Sequence, residues 1–125
     1  MENKYFTPDI EDIHAGYECE LLLYAEWDPI TVKPYTALES VVKCIKDKII
    51  RVPYLTKEQI EAEGWKETSI NHYTKKDIFL KVYIGYLHDE ILSFRISIYN
   101  AEGTLFKGEC KDINTFRKLF KLLDI

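Results

Sequence analysis

At 125 residues, with 46% hydrophobic and 30% charged content, the chain has the make-up of one globular domain whose core needs no disulfide staples. Three scattered cysteines, Cys19, Cys44 and Cys110, form no CxxC pair and no Cys/His cluster, so they point to neither a disulfide framework nor a zinc site and read as reduced thiols. The net charge of −4 is uneven: through Thr31 eight acids oppose the single Lys4, a net of −7, whereas the remainder carries sixteen bases and thirteen acids, a net of +3.

An acidic leader argues against nucleic acid or an anionic membrane as its partner. The start is polar, unlike a signal peptide, and no apolar run nears the ~20 residues that cross a bilayer. A soluble cytoplasmic protein is the expectation.

Residues 1–16 read as an acidic N-terminal arm ahead of the fold. From Tyr17 to Glu26 the alternation of Tyr17, Cys19, Leu21, Leu23 and Ala25 with Glu18, Glu20, Tyr24 and Glu26 predicts a half-buried strand. Pro29 and Pro34 allow only an edge piece next. Thr36 with Glu39 three residues on has the form of a capping box, opening a helix that buries Leu38, Val41, Val42 and Ile45. A short strand ends near Pro53. Thr56 and Gln59 form a second capping box, Leu55 and Ile60 a staple, and Gly64 a left-handed stop before Trp65.

Candidate strands at 66–73, 77–86, 91–99 and 104–110 make a meander. A final amphipathic helix turns Ile113, Phe116, Leu119, Phe120 and Leu123 to one side, with Asp112 or Asn114 as its cap. The sum is one α+β domain over residues 1–125: a largely antiparallel sheet with two to three helices packed mainly on one face.

In the hairpin "DIFLKVYIGY"/"ILSFRISIY", Ile78, Leu80, Val82 and Ile84 share an apolar face with Leu92, Phe94, Ile96 and Ile98. One register sets Lys81 against Arg95. The other sets Tyr83 against Arg95 and Phe79 against Tyr99, with a five-residue loop, and is preferred because it separates like charges. Either leaves Phe79, Lys81, Tyr83, Ser93, Arg95, Ser97 and Tyr99 on the outer face. Rings beside cations suit a covering protein segment, a stacked nucleotide or plain solvation. An arm laying Tyr5 and Phe6 there, with Asp9, Glu11 and Asp12 near Lys81 and Arg95, is one way to cover it.

No GxSxG, HExxH, Walker-type loop or GxGxxG occurs. His88 beside Asp89 and Glu90 reads as a polar turn rather than a metal site, and Cys44 as an inert thiol. No enzyme activity, cofactor or metal is expected.

The segments "YFTPDIEDIHAGYECEL", "LTKEQIEAEGW" and "LFKGECKDINTFRKLFKLLDI" together resemble a group of short uncharacterised proteins encoded by bacteriophages and prophage-like regions of gut bacteria. The resemblance implies an accessory factor acting on host machinery or defence and assigns no site residue. Two expectations follow. The first is a non-enzymatic interaction protein that binds a host or phage protein, or a second copy of itself as a homodimer. Tyr5, Phe6, Tyr24 and Trp27 anchor the contact, and Asp9, Glu11 and Asp12 set its charge. The alternative is a small-ligand protein that sequesters a nucleotide-type molecule in counter-defence, using Phe79, Lys81, Tyr83, Arg95 and Tyr99. A minor virion component is a third reading.

Overall fold

Tyr24 and Ala25 both take left-handed backbone angles, φ 50° and 66°. This two-residue turn has the twist that joins antiparallel strands, so the segment expected as one strand to Glu26 folds back on itself. The computed structural model describes residues 4–125, so the first three residues of the arm lie outside the described residues. The chain divides into a unit of Lys4–Tyr54 and a second running from Leu55 to Ile125, where composition alone suggests a single domain.

In the first unit, β1 (Tyr5–Phe6), β2 (Glu18–Leu23), β3 (Glu26–Thr31) and β4 (Ile50–Pro53) form an antiparallel sheet in the order β1-β4-β2-β3. Pro29 sits in β3, an edge strand as expected. Tyr17, Cys19, Val32, Ile50 and Val52 form the core, with Phe6, Leu21, Ile30, Cys44 and Ile45 packed against it. The arm is therefore built into this sheet: Tyr5 pairs with Pro53 and Phe6 with Val52.

The helix α1 (Leu38–Lys46) begins one residue later than its sequence signal. Its N-cap is Ala37, and the Thr36 hydroxyl accepts from the Lys33 N–H instead of closing a capping box with Glu39. Leu38, expected in the buried stripe, is exposed, while Val41 is buried.

The second unit opens with α2 (Lys57–Ala62). The Thr56 hydroxyl accepts from the Gln59 N–H while the Gln59 side chain accepts from the Thr56 N–H, which satisfies both orphan donors. Gly64, at φ 96°, stops the helix, and Trp65 turns inward against Phe120 at 5.3 Å between ring centroids.

There follow β5 (Lys66–Ser69), β6 (His72–Lys75), β7 (Ile78–Leu87), β8 (Glu90–Asn100), β9 (Gly103–Glu109) and α3 (Ile113–Leu123). The five strands neighbour one another in chain order, an antiparallel meander. With both sheets, the described residues form an α+β fold. The expected strand 66–73 is two strands, broken where Asn71 turns at φ 62°. Asp112 occupies the α3 N-cap, but its carboxylate accepts from the side chains of Asn114 and Thr115 rather than from the backbone.

The β7–β8 register pairs Tyr83 with Arg95 and Phe79 with Tyr99, the preferred one of the two. It closes differently from the expected five-residue loop. A bulge opposite Gly85–Tyr86 absorbs one residue of β8, and the hairpin then turns tightly through His88 and Asp89, both at positive φ. The bulge ejects Leu92 from the apolar face; it is 71% exposed, whereas Leu80, Val82, Phe94, Ile96 and Ile98 are buried.

Burial holds two thiols protonated. Cys19 is pushed from 9.0 to about 11, by desolvation first, with Cys44 and Glu20 adding. Cys110 is pushed from 9.0 to about 12, by desolvation first, with Asp112 adding. The unfolded chain loses these protons first on going alkaline, so their contribution is intact below pH 9.0 and falls as pH rises toward 11–12. Urea unfolding is expected to show constant stability from neutral pH to about 8.5, then a loss of roughly 1 kcal/mol per pH unit per thiol. Cys110→Ala lowers the starting stability but flattens that slope; an unchanged slope would contradict the assignment.

Candidate functional site

Partners in an antiparallel ladder share a face, as do residues two apart on one strand. In the first unit's sheet this puts Phe6, Cys19, Leu21, Ile30, Ile50 and Val52 on the core side. Tyr5, Glu20, Trp27 and Arg51 fall on the other side. Each of the four strands contributes one of these outer residues. The Arg51 guanidinium lies 3.6 Å from the Tyr5 ring centroid and 4.1 Å from that of Trp27. Its Nε donates to Glu20 Oε1 at 2.7 Å.

The cation is thus held by two rings and a carboxylate, and both members of the ion pair are partly buried. The arrangement is a flat aromatic platform whose central charge is already neutralised. Such a surface can be covered by a partner without stranding an unpaired charge.

The residues expected to bind protein divide around this platform. Tyr5 and Trp27 belong to it. Phe6 faces the core and packs on Tyr54 at 5.0 Å between centroids, so it is not an anchor. Asp9 caps a single 3₁₀ turn, Ile10–Asp12, by accepting from the Glu11 N–H, and leaves Glu11 and Asp12 exposed. Tyr24 stands fully exposed at the β2–β3 turn. An arm laying Tyr5 and Phe6 beside Lys81 and Arg95 is one expectation for these rings; within their own unit Tyr5 is engaged by Arg51 and Phe6 by Tyr54. Arg51 and Glu20 were not legible as site residues, because they lie 31 positions apart and nothing local links them.

The outer face of the second unit's sheet is ordered in cross-strand rows. Thr74, Phe79, Tyr99 and Thr104 form one; His72, Lys81, Ser97 and Lys107 the next; Tyr83, Arg95 and Glu109 a third. All five residues expected to hold a small ligand are therefore brought together. Phe79 and Tyr99 stack at 5.5 Å with 23° between planes, and Lys81 Nζ lies 4.8 Å from the Tyr83 ring centroid. Phe79 is 42% and Tyr83 40% exposed. Beyond Phe79, at the end of the sheet, the β6–β7 and β8–β9 turns enclose a groove of about 430 Å³ lined by Lys76, Asp77, Phe79, Asn100, Ala101 and Glu102.

Among the described residues no three His, Cys, Asp or Glu side chains converge as a metal-binding set. No helix of the described residues is long and apolar enough to cross a membrane. No protein-family model, curated protein or solved structure matches the chain.

Replacing Arg51 tests the platform. Arg51→Ala removes two cation–π contacts and leaves Glu20 alone, and is expected to lower stability by about 1–3 kcal/mol in urea unfolding. Arg51→Lys recovers little, because an ammonium cannot stack between two rings as a planar guanidinium does. Wild-type stability in both variants would show that the platform contributes nothing to folding.

Proposed function

We propose that the chain is a non-enzymatic interaction protein that docks a protein partner on the outer face of the Lys4–Tyr54 sheet. The observation that carries this reading is the stacking of Tyr5, Arg51 and Trp27 on the side away from the core. Tyrosine, tryptophan and arginine are the residues most enriched among those that dominate binding energy. Here they are held in place before any partner arrives, which reduces the ordering penalty of association.

Two neighbouring features add to it. Among the described residues no strand pairs with the outer side of β3, so its backbone groups, Pro29 apart, suit pairing with an added strand. Tyr24 is exposed at the turn, Glu26 and Asp28 are exposed along that edge on the side opposite Trp27, and Glu11 and Asp12 are exposed in the 3₁₀ turn. These acids favour a partner with a basic rim and raise the rate of encounter with it. In the setting that the phage resemblance implies, that partner is a host or phage protein.

The test compares captured partners by quantitative mass spectrometry. Wild-type protein is expected to retain a defined partner from bacterial lysate, and Thr31→Arg, an exposed change on the Trp27 side of β3, to lose at least tenfold of it with unchanged melting temperature. Trp27→Ala should lose it too. Lys81→Glu, on the other unit, should keep it. Retention that is indifferent to Trp27 and to Thr31, or a monomer that retains nothing, would overturn the proposal.

A further inference from the structure

We infer that the Leu55–Ile125 unit carries a second, separate site, for a nucleoside phosphate, at the Phe79 end of its sheet. The inference rests on how three chemistries are stacked along one direction of the face.

First comes the groove, where Asp77 and Glu102 place two carboxylates beside an aromatic floor. Its volume of about 430 Å³ falls within the ~300–1,000 Å³ of small-molecule sites. Asn100 holds the shape of one wall: its Oδ1 accepts from the N–H groups of Glu102 and Gly103 and fixes the β8–β9 turn. Asp77, Glu102 and Lys76 enter none of the ion pairs of this unit among the described residues. Carboxylates are acceptors only, so the ligand edge that meets Asp77 and Glu102 must donate.

Next comes the ring of Phe79, already stacked on Tyr99 and still 42% exposed. A planar heterocycle laid on it extends an existing stack, an arrangement that any nucleobase accepts.

The third chemistry lies one row further along the strands, about 7 Å away, where Lys81 and Lys107 flank Ser97. Ser97 itself is buried, so it is the two ammonium groups that meet an anion, and the ~7 Å offset suits the reach from a nucleobase to its own phosphate. Arg95 stands a row beyond, with Glu109 opposite; Glu109 pairs with Lys111 at 3.2 Å.

A ligand that donates at one end, stacks in the middle and is anionic at the other end matches a nucleoside phosphate whose base bears amino or imino N–H groups. Simple anions lack the first two properties, and neutral nucleosides lack the third. A free mononucleotide and the terminal nucleotide of a single strand share this chemistry.

The experiment measures thermal shift and affinity for GMP, AMP, CMP, UMP, guanosine, inorganic phosphate and a single-stranded pentanucleotide. At least one monophosphate is expected to raise the melting temperature in a saturable way, and its nucleoside to bind about tenfold or more weakly. Lys107→Glu and Lys81→Glu, both surface changes that leave the buried face untouched, should each weaken binding about tenfold. Glu102→Gln should alter the order of preference among bases while phosphate dependence persists. Binding of the pentanucleotide alone would assign the same site to a strand end, and binding of the mononucleotide would assign it to the free molecule. The proposal fails if no compound shifts the protein, if inorganic phosphate shifts it as much as the nucleotides do, or if binding is unchanged in both lysine variants. None of these outcomes depends on the partner site of the other unit.

Discussion

In an antiparallel sheet a residue and its cross-strand partner point the same way, and both surfaces described above are consequences of that constraint. Leu80 opposite Ile98 and Val82 opposite Ile96 are almost completely buried. A slip of β7 by one residue would turn Leu80 and Val82 to water and bring Phe79, Lys81 and Tyr83 into the core. Burying four aliphatic side chains is worth several kcal/mol, about 1.5–3 kcal/mol each. The order of the outer face is therefore fixed by the inner one. In the other sheet, Phe6, Cys19, Leu21 and Val52 play the same part, and their burial leaves Tyr5, Glu20, Trp27 and Arg51 together on the opposite side.

The same constraint separates what was legible from what was not. The β7–β8 register followed from alternation and from the repulsion of Lys81 and Arg95, both local properties. The α2 capping box was legible because all its parts lie within four residues. Leu92 was misplaced because a bulge breaks the period of two without marking the sequence; Gly85, opposite the start of the bulge, is its only trace. The turn at Tyr24–Ala25 was hidden because neither residue is a usual left-handed former. At α1, Thr36 had two possible uses for its hydroxyl, and the turn of Lys33–Thr36 took it. Propensity could not arbitrate between them.

The Arg51 platform was invisible for a different reason. Its members stand at positions 5, 20, 27 and 51, one per strand, and nothing local links them. Tyr5 and Trp27 could be singled out as ring-bearing residues, but their convergence required the order β1-β4-β2-β3, in which β4 inserts between β1 and β2. An edge hairpin alone would have left Trp27 beside Leu22 with no cation to stack on. The arm, a two-residue strand, gains its hold from this placement as much as from backbone pairing, because Tyr5 adds its ring to Arg51 while Phe6 adds its own to the core.

The two surfaces differ in how prepared they are. Arg51 has three partners, so it has little rotamer freedom left to lose when a partner protein covers it. Charge around it follows the same division of labour. From Lys4 to Tyr54 the chain carries nine acids and six bases, a net of −3, yet the platform itself is neutral, one arginine against one glutamate. The excess of acids over the unit draws a basic surface in over a Debye length of ~8 Å, and the neutral platform adds no unpaired charge at contact. From Leu55 to Ile125 eleven acids balance eleven bases, so no net field guides an anion from afar. There the lysines act only at contact, one row from the stacked rings, and selectivity must come from the fit of a small ligand along that row rather than from long-range attraction.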